Sequence, residues 1–163
     1  KLKRYEDRDK RRILDVIDRY IIPESIRNYY DLVSYKRRSA WHAKALQQLG
    51  GNQLIFLDPD TGFIVPSARG KETLKYVYFE EAADYFKKGA SVIVIQFTHR
   101  HEPFDRGPKA QLDLLKRTTK GLPLPILRAP NVEFVGVAHD SHYDALRQAL
   151  ATFAESHPRL GIQ

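Results

Sequence analysis

The 163-residue sequence contains no cysteine and no methionine. Without cysteine there is no disulfide framework, no thiolate metal site and no cysteine nucleophile. Nothing then calls for an oxidising compartment, and the cytoplasm is the expected location. The lack of methionine, a start methionine included, points to a processed or trimmed chain. No apolar run approaches the roughly 20 residues that cross a bilayer, so no membrane association is expected. Lys1 to Lys10 is nearly all polar, which does not fit a secretory signal. There is no GxxxxGK[ST] loop, which excludes a P-loop NTPase. There is no GxSxG elbow either, which argues against an ordinary α/β-hydrolase.

What is present is globular in character, with 42% hydrophobic residues. The length fits one domain with a real core. A single α/β domain over 1–163 is expected, with 1–50 basic and mainly helical and 51–163 forming the sheet core. The charge is uneven. Of 27 Lys and Arg and 20 Asp and Glu in all, 13 and 7 lie in 1–50. Arg8, Lys10, Arg11 and Arg12 form one cationic cluster, and Lys36, Arg37 and Arg38 another. Concentrated cations are the footprint of phosphate and nucleic-acid contact. The plain alternative is a solvated helix face, because acids interleave with the first cluster.

Hydrophobic periodicity supplies the elements. Glu6–Tyr20 reads as a helix with Ile13, Leu14 and Ile17 on one face, stopped by Pro23. Arg37–Leu49 reads as a second, with Trp41, Ala45 and Leu49 aligned. Leu54–Leu57 is a short unbroken apolar run, as in a strand buried on both faces. Phe63–Tyr78 is a long connection. A helix with Phe79, Ala82, Ala83 and Phe86 on one face closes at Gly89. Ser91–Phe97 is a second buried strand, rich in β-branched residues. A polar loop over Thr98–Lys109, a helix near Gln111–Lys116 and a proline-rich irregular stretch, Gly121–Pro130, follow. Val132–His139 is a third strand, and Ser141–Ser156 a final helix. Strands alternating with helices predict right-handed βαβ crossovers. The expected fold is α/β: a three-layer, Rossmann-like, mostly parallel sheet with helices on both faces.

In such a sheet ligands bind beyond the carboxyl ends of the strands. The first strand runs into Asp58-Pro59-Asp60-Thr61-Gly62. The second ends in Gln96, with Thr98, His99, Arg100 and His101 beyond it. The third ends in His139, Asp140 and His142. Parallel strands would bring these ends to one edge, so the candidate site residues are Asp58, Asp60, Gln96, His99 and Asp140. Several titratable groups within a few ångströms are what metal or acid–base chemistry requires. Asp140 has a plainer reading, since Ser141 as N-cap with Asp144 three residues on is a capping box. Asp60 with Glu72 and Lys75 gives a PD-(D/E)xK nuclease pattern at the wrong spacing.

Three families share parts of this pattern. Asp58-x-Asp60 after a strand resembles the haloacid-dehalogenase-like phosphatases, although that family places Thr four residues after the first Asp and position 62 here is Gly. Asp58-Pro59 resembles the start of the (D/N)PP(Y/F) motif of amino-methyltransferases. The longer run of Arg38, Trp41, Ala45 and Leu46, then LIFLDPDTGF, then KYVYFEE from Lys75, then VIVIQ ending at Gln96, resembles a bacterial family of uncharacterised proteins. That resemblance covers about Arg38–Arg100. It implies a methyltransferase-type Rossmann-like sheet, with Gln96 carried over and the family's following His replaced here by Phe97.

The functional expectation led by that resemblance is a methyltransferase-like, in part degenerate protein acting on or near nucleic acid. S-adenosylmethionine would be its cofactor and Asp58 its central polar group. The alternatives are a Mg²⁺-dependent phosphoester hydrolase or nuclease using Asp58 and Asp60, and a non-catalytic nucleic-acid-binding module.

Overall fold

A computed structural model describes residues 27, 29, 31, 33–97 and 107–163. The chain divides into two units, Lys1–Tyr30 and Asp31–Gln163, and all the elements described belong to the second. The expected helix Glu6–Tyr20, the cations Arg8, Lys10, Arg11 and Arg12, and His99 lie outside the described residues.

The chain is α/β. Its helices are α1 (Arg38–Leu49), α2 (Phe79–Lys87), α3 (Pro108–Thr119) and α4 (Asp140–Ser156). Its strands are β1 (Leu54–Leu57), β2 (Gly62–Phe63), β3 (Tyr76–Val77), β4 (Ser91–Phe97), β5 (Leu122–Pro123), β6 (Leu127–Arg128), β7 (Val132–Ala138) and β8 (Gly161–Ile162). Short 3-10 turns cover Tyr35–Arg37 and Gly70–Lys75. No helix among the described residues is long and apolar enough to cross a membrane.

The main sheet has the order β1-β4-β7-β6-β8, with β5 also on β7, while β2 and β3 form a separate parallel pair. β1 runs parallel to β4. β7 runs antiparallel to β4, with Val92 opposite Val137 and Phe97 opposite Val132. β5 and β6 are antiparallel to β7, and β8 is antiparallel to β6. The sheet is therefore mixed and mostly antiparallel, which corrects the expectation of a mostly parallel sheet.

The reason lies in the proline-rich stretch read as irregular. Leu122–Arg128 runs along β7 against its direction, so it runs parallel to β4. It is the strand that the α3 crossover leads to, broken into β5 and β6 around Pro123 and Pro125, where proline removes the amide donor a ladder needs. The chain then turns back, with Ala129 N–H bonded to Val132 O at 2.8 Å. β7 thus enters as a hairpin return between β4 and β6. Likewise α4 links β7 to β8, which run the same way with β6 between them. Helices α2, α3 and α4 still join strands that run the same way, but the interleaved hairpin makes most neighbours antiparallel.

Alternation along the strands buries both faces of the β4–β7 pair. Ile93 and Ala138, with Leu124, pack under Tyr143, Leu146 and Leu150 of α4. Val92, Val94, Val135 and Val137 are fully buried on the opposite face. There the Phe86 ring of α2 and the Val137 side chain both crowd Gly121, and Leu115 of α3 is fully buried. Because β7 runs against β4, a crossover of one fixed hand advancing the same way puts α4 on the other face from α2 and α3.

Helix α2 shows how closely local chemistry sets these elements. Glu81, three residues past the cap, accepts the Tyr78 backbone N–H at 3.0 Å. At the far end Ala90 N–H reaches Tyr85 O and Gly89 N–H reaches Phe86 O, a Schellman closure with Gly89 at φ +94°. By contrast, α4 begins at Asp140 with His139 as its cap residue and no side-chain cap bond. The Ser141 capping box expected from the sequence is not used.

Helix α1 is tied to α2 by one fork of charge. Arg38 Nε and Nη2 donate to Glu81 Oε1 and Oε2 at 2.7 and 2.8 Å. Nη1 donates to Thr73 O at 3.0 Å and Nη2 to Tyr76 O at 2.6 Å, and the guanidinium lies over the Tyr78 ring. The two side chains are only 12% and 10% exposed. Removing one member of a pair so covered strands the other charge, which costs about 3–5 kcal/mol. Urea unfolding of Glu81→Ala is expected to show a loss in that range. Arg38→Lys should fall well short of wild type, because an ammonium cannot fill the fork. A loss below about 1 kcal/mol would mean that the pair behaves as an exposed one.

Candidate functional site

The loop after β1 is the best-defined polar feature of the described chain. The apolar run of β1 ends at Leu57, and Asp58, Pro59 and Asp60 carry the chain outward. Thr61 brings it back: its carbonyl accepts the Phe97 N–H at the end of β4, 3.0 Å away, and its N–H donates to Lys75 O at 3.0 Å. β2 then pairs with β3, Gly62 opposite Tyr76 and Phe63 opposite Val77. Phe63 is fully buried and stacks on Phe79 of α2, with ring centroids 4.2 Å apart.

Behind the loop sits Gln96, which is 7% exposed. Its Oε1 accepts the Phe63 N–H at 2.9 Å. Its Nε2 donates to Phe97 O at 2.9 Å and to Thr61 O at 3.4 Å. Gly62 makes room for this amide. It has φ +131°, and a Cβ there would stand 2.0 Å from Gln96 Oε1. Gln96 therefore positions the loop, and its amide is spent on backbone.

The loop presents two carboxylates to solvent, Asp58 and Asp60, both exposed. Neither forms an ion pair or side-chain hydrogen bond among the described residues. Partial burial raises the Asp58 carboxyl above the ordinary aspartate range, and the nearby charge of Asp60 adds to the rise. A carboxylate held with its charge disfavoured gains from a cation or a proton donor. Among the described residues no third His, Cys, Asp or Glu joins them in a metal-holding group.

Asp140 does not belong to this site. β7 is antiparallel to β4, so its end lies beside the start of β4, roughly 20 Å along a seven-residue strand from Gln96. The histidines there tie α4 to the sheet. His139 Nε2 donates to Phe86 O at 2.9 Å and its ring stacks on Phe86. Ser91 Oγ accepts the His139 backbone N–H and lies 3.0 Å from His142 Nδ1. The convergence of three strand ends held only for a parallel sheet.

Of the second cationic cluster, Lys36 and Arg37 are exposed, while Arg38 is committed to Glu81 and two carbonyls. The 3-10 turn carrying Lys36 and Arg37 packs on Gly70–Lys75, whose last residue bonds Thr61. The acidic loop and these cations are thus contiguous. A second polar feature was not singled out from the sequence. Glu133 is fully buried on β7, opposite Gln96 and Arg128 in register, and its Oε1 is 2.6 Å from Arg128 Nε. The signal was present, because V-E-F-V-G-V-A places Glu133 on the same face as Val135 and Val137.

Two stability measurements test this geometry. Gly62→Ala forces a side chain into the Gln96 amide at a backbone angle unsuited to it. Thermal or urea unfolding should show a loss of about 1–3 kcal/mol or more, and wild-type stability would mean that the amide does not hold the loop. Asp58→Asn should do the opposite at neutral pH. A carboxyl whose folded pKa is raised destabilises the fold progressively as pH rises through that pKa, with the full penalty above it. The asparagine variant should therefore melt higher than wild type at pH 7. That advantage should vanish in acid below the ordinary aspartate range. An equal offset at all pH values would remove the charge explanation.

Comparison with protein-family profiles, curated proteins and solved structures gives no match to this chain.

Proposed function

We propose that the Asp58–Asp60 loop is the site of a Mg²⁺-dependent phosphoester hydrolase. The observation that carries this reading is the pair of solvent-facing carboxylates on a loop fixed from behind by Gln96, beside exposed cations. Mg²⁺ keeps several waters and is held by one or two carboxylates together with substrate phosphate. Asp58 and Asp60 fit that donor set, and no third protein ligand is required. When bound, the ion would neutralise phosphate charge and lower the pKa of a bound water. The chain's own residues hold the geometry. Asp58 and Asp60 supply oxygen donors and Gln96 fixes their loop. Lys75, Lys36 and Arg37 attract the phosphate. Asp140 has no part in this reading.

A second reading keeps Asp58 central in a methyltransferase-like protein that binds S-adenosylmethionine and acts on nucleic acid. The parallel β1–β4 pair with Asp58 at its carboxyl end favours it. The resemblance to the FLDPD(N/T)G family and the Rossmann-like three-layer arrangement belong with it.

Turnover of bis(p-nitrophenyl) phosphate, followed with Mg²⁺ and again after chelation, separates the two. Mg²⁺-dependent release that falls at least about 100-fold in Asp58→Asn supports the hydrolase. A folded wild type with no release in Mg²⁺ or Mn²⁺ excludes it. Calorimetric binding of S-adenosylhomocysteine without metal would then support the second reading. Failure of both would leave a non-catalytic binding module.

A further inference from the structure

We propose that two copies of this chain pair through the outer edge of β1, continuing the sheet antiparallel across a two-fold axis. The inference is independent of the chemistry proposed for Asp58. β1 is an edge strand of the main sheet. Ser91 N–H donates to Gln53 O, and residues facing the neighbour alternate along a ladder. Ile55 and Leu57 therefore bond toward β4, in register with Val92 and Val94. Leu54 and Phe56 send their N–H and C=O groups outward. On that side neither has a hydrogen bond among the described residues. Sheet edges are ordinarily blunted by charge, by proline or by shortness. β8, at the other edge, has two residues. β1 is LIFL, four apolar residues without charge or proline.

The side chains narrow what completes this edge. Leu54 is level with Ser91 and Phe56 with Ile93. Ile93 packs under α4, so both side chains stand on the α4 face. α4 lies over β7 and β8 and leaves them uncovered, Leu54 40% and Phe56 52% exposed. Two outward residues at i and i+2 make the edge complementary to itself. Turned about a two-fold axis through Ile55 and normal to the sheet, Leu54 meets the partner's Phe56, and Phe56 the partner's Leu54. Each such pair exchanges both backbone bonds, which satisfies every outward group of the two strands. Opposed residues share a face, so each exposed leucine lies against an exposed phenylalanine. A slip of one residue would set outward residues against inward ones. Continuing the register sets Asp58 level with the partner's Asn52, and no like charges oppose each other. A foreign strand could satisfy the backbone alone. A second copy supplies backbone and side chains together, in the isologous arrangement commonest among oligomers.

Sedimentation velocity over a concentration series tests the pairing. Wild type should pass from monomer to dimer as concentration rises. Leu54→Pro removes only an outward N–H, at the first position of an edge strand, where proline is tolerated. It should leave a folded monomer throughout. Phe56→Ala should raise the dimer dissociation constant about 2- to 30-fold, because each cross-strand pair occurs twice. The register is read by disulfide trapping in this cysteine-free chain. Leu54→Cys and Phe56→Cys should link when mixed and briefly oxidised, since directly paired Cα atoms lie about 5.5 Å apart. Neither variant should link alone, because like positions are offset by two residues, about 7–8 Å. If Leu54→Pro fails to fold, the trapping decides. A folded wild type that stays monomeric would overturn the proposal. So would a dimer that survives Leu54→Pro, or linking of either cysteine variant alone without linking in the mixture.

Discussion

Both functional atoms of the Gln96 side chain are bonded to the backbone of a segment about 33 residues away in sequence, and the described architecture closes around that link. A neutral amide suits the position because it offers donor and acceptor together and can be buried without the desolvation cost of an ion. It fixes Phe63, and Phe63 stacks on Phe79 at the start of α2. The first turn of α2 carries Glu81, which holds Arg38 of α1. Arg38 in turn holds the carbonyls of Thr73 and Tyr76, and Tyr76 pairs with Gly62 in the small second sheet. The ring of contacts returns to the residue whose missing side chain admits the amide. Each member restricts the next, so the acidic loop is held without using its own carboxylates.

That economy separates structure from chemistry on the loop. Thr61, Gly62 and Phe63 are spent on backbone bonds and packing, while Asp58 and Asp60 stay free at the rim. Holding the Asp58 carboxylate where its charge is disfavoured works against stability. The other end of the same sheet shows the contrast. Ser91, His139 and His142 have the vocabulary of a reactive site, but their polar atoms close on each other and on Phe86 O. Polar residues near strand ends are functional candidates at one edge and fastenings at the other.

The elements were legible where local physics is strong. The runs LIFL and SVIVIQF are apolar and β-branched, and both are strands at the expected places. The spacing of Phe79, Ala82, Ala83 and Phe86 gave α2, with Gly89 as its stop. Asp58, Asp60 and Gln96 fall at one sheet edge because each follows or ends a strand of the parallel β1–β4 pair. The long connection after Phe63 was legible only as a loop. Its 3-10 turn and its pairing with Gly62 depend on Arg38 and Thr61, far away in sequence.

By itself the sequence determined the apolar runs, the helical faces, the acidic turn after β1 and the alternation of helices with strands. Those features depend on side-chain period and on residues within a few positions of one another. Only the tertiary structure decided which strands are neighbours. Pairing depends on the end at which the chain re-enters the sheet, and here the broken strand Leu122–Arg128 and the turn after it send Val132–Ala138 back against β4. That reversal carries Asp140 to the far edge and brings Glu133 level with Gln96. Nothing in the local pattern of Val132–Ala138 could reveal it, because an apolar strand reads the same in either direction.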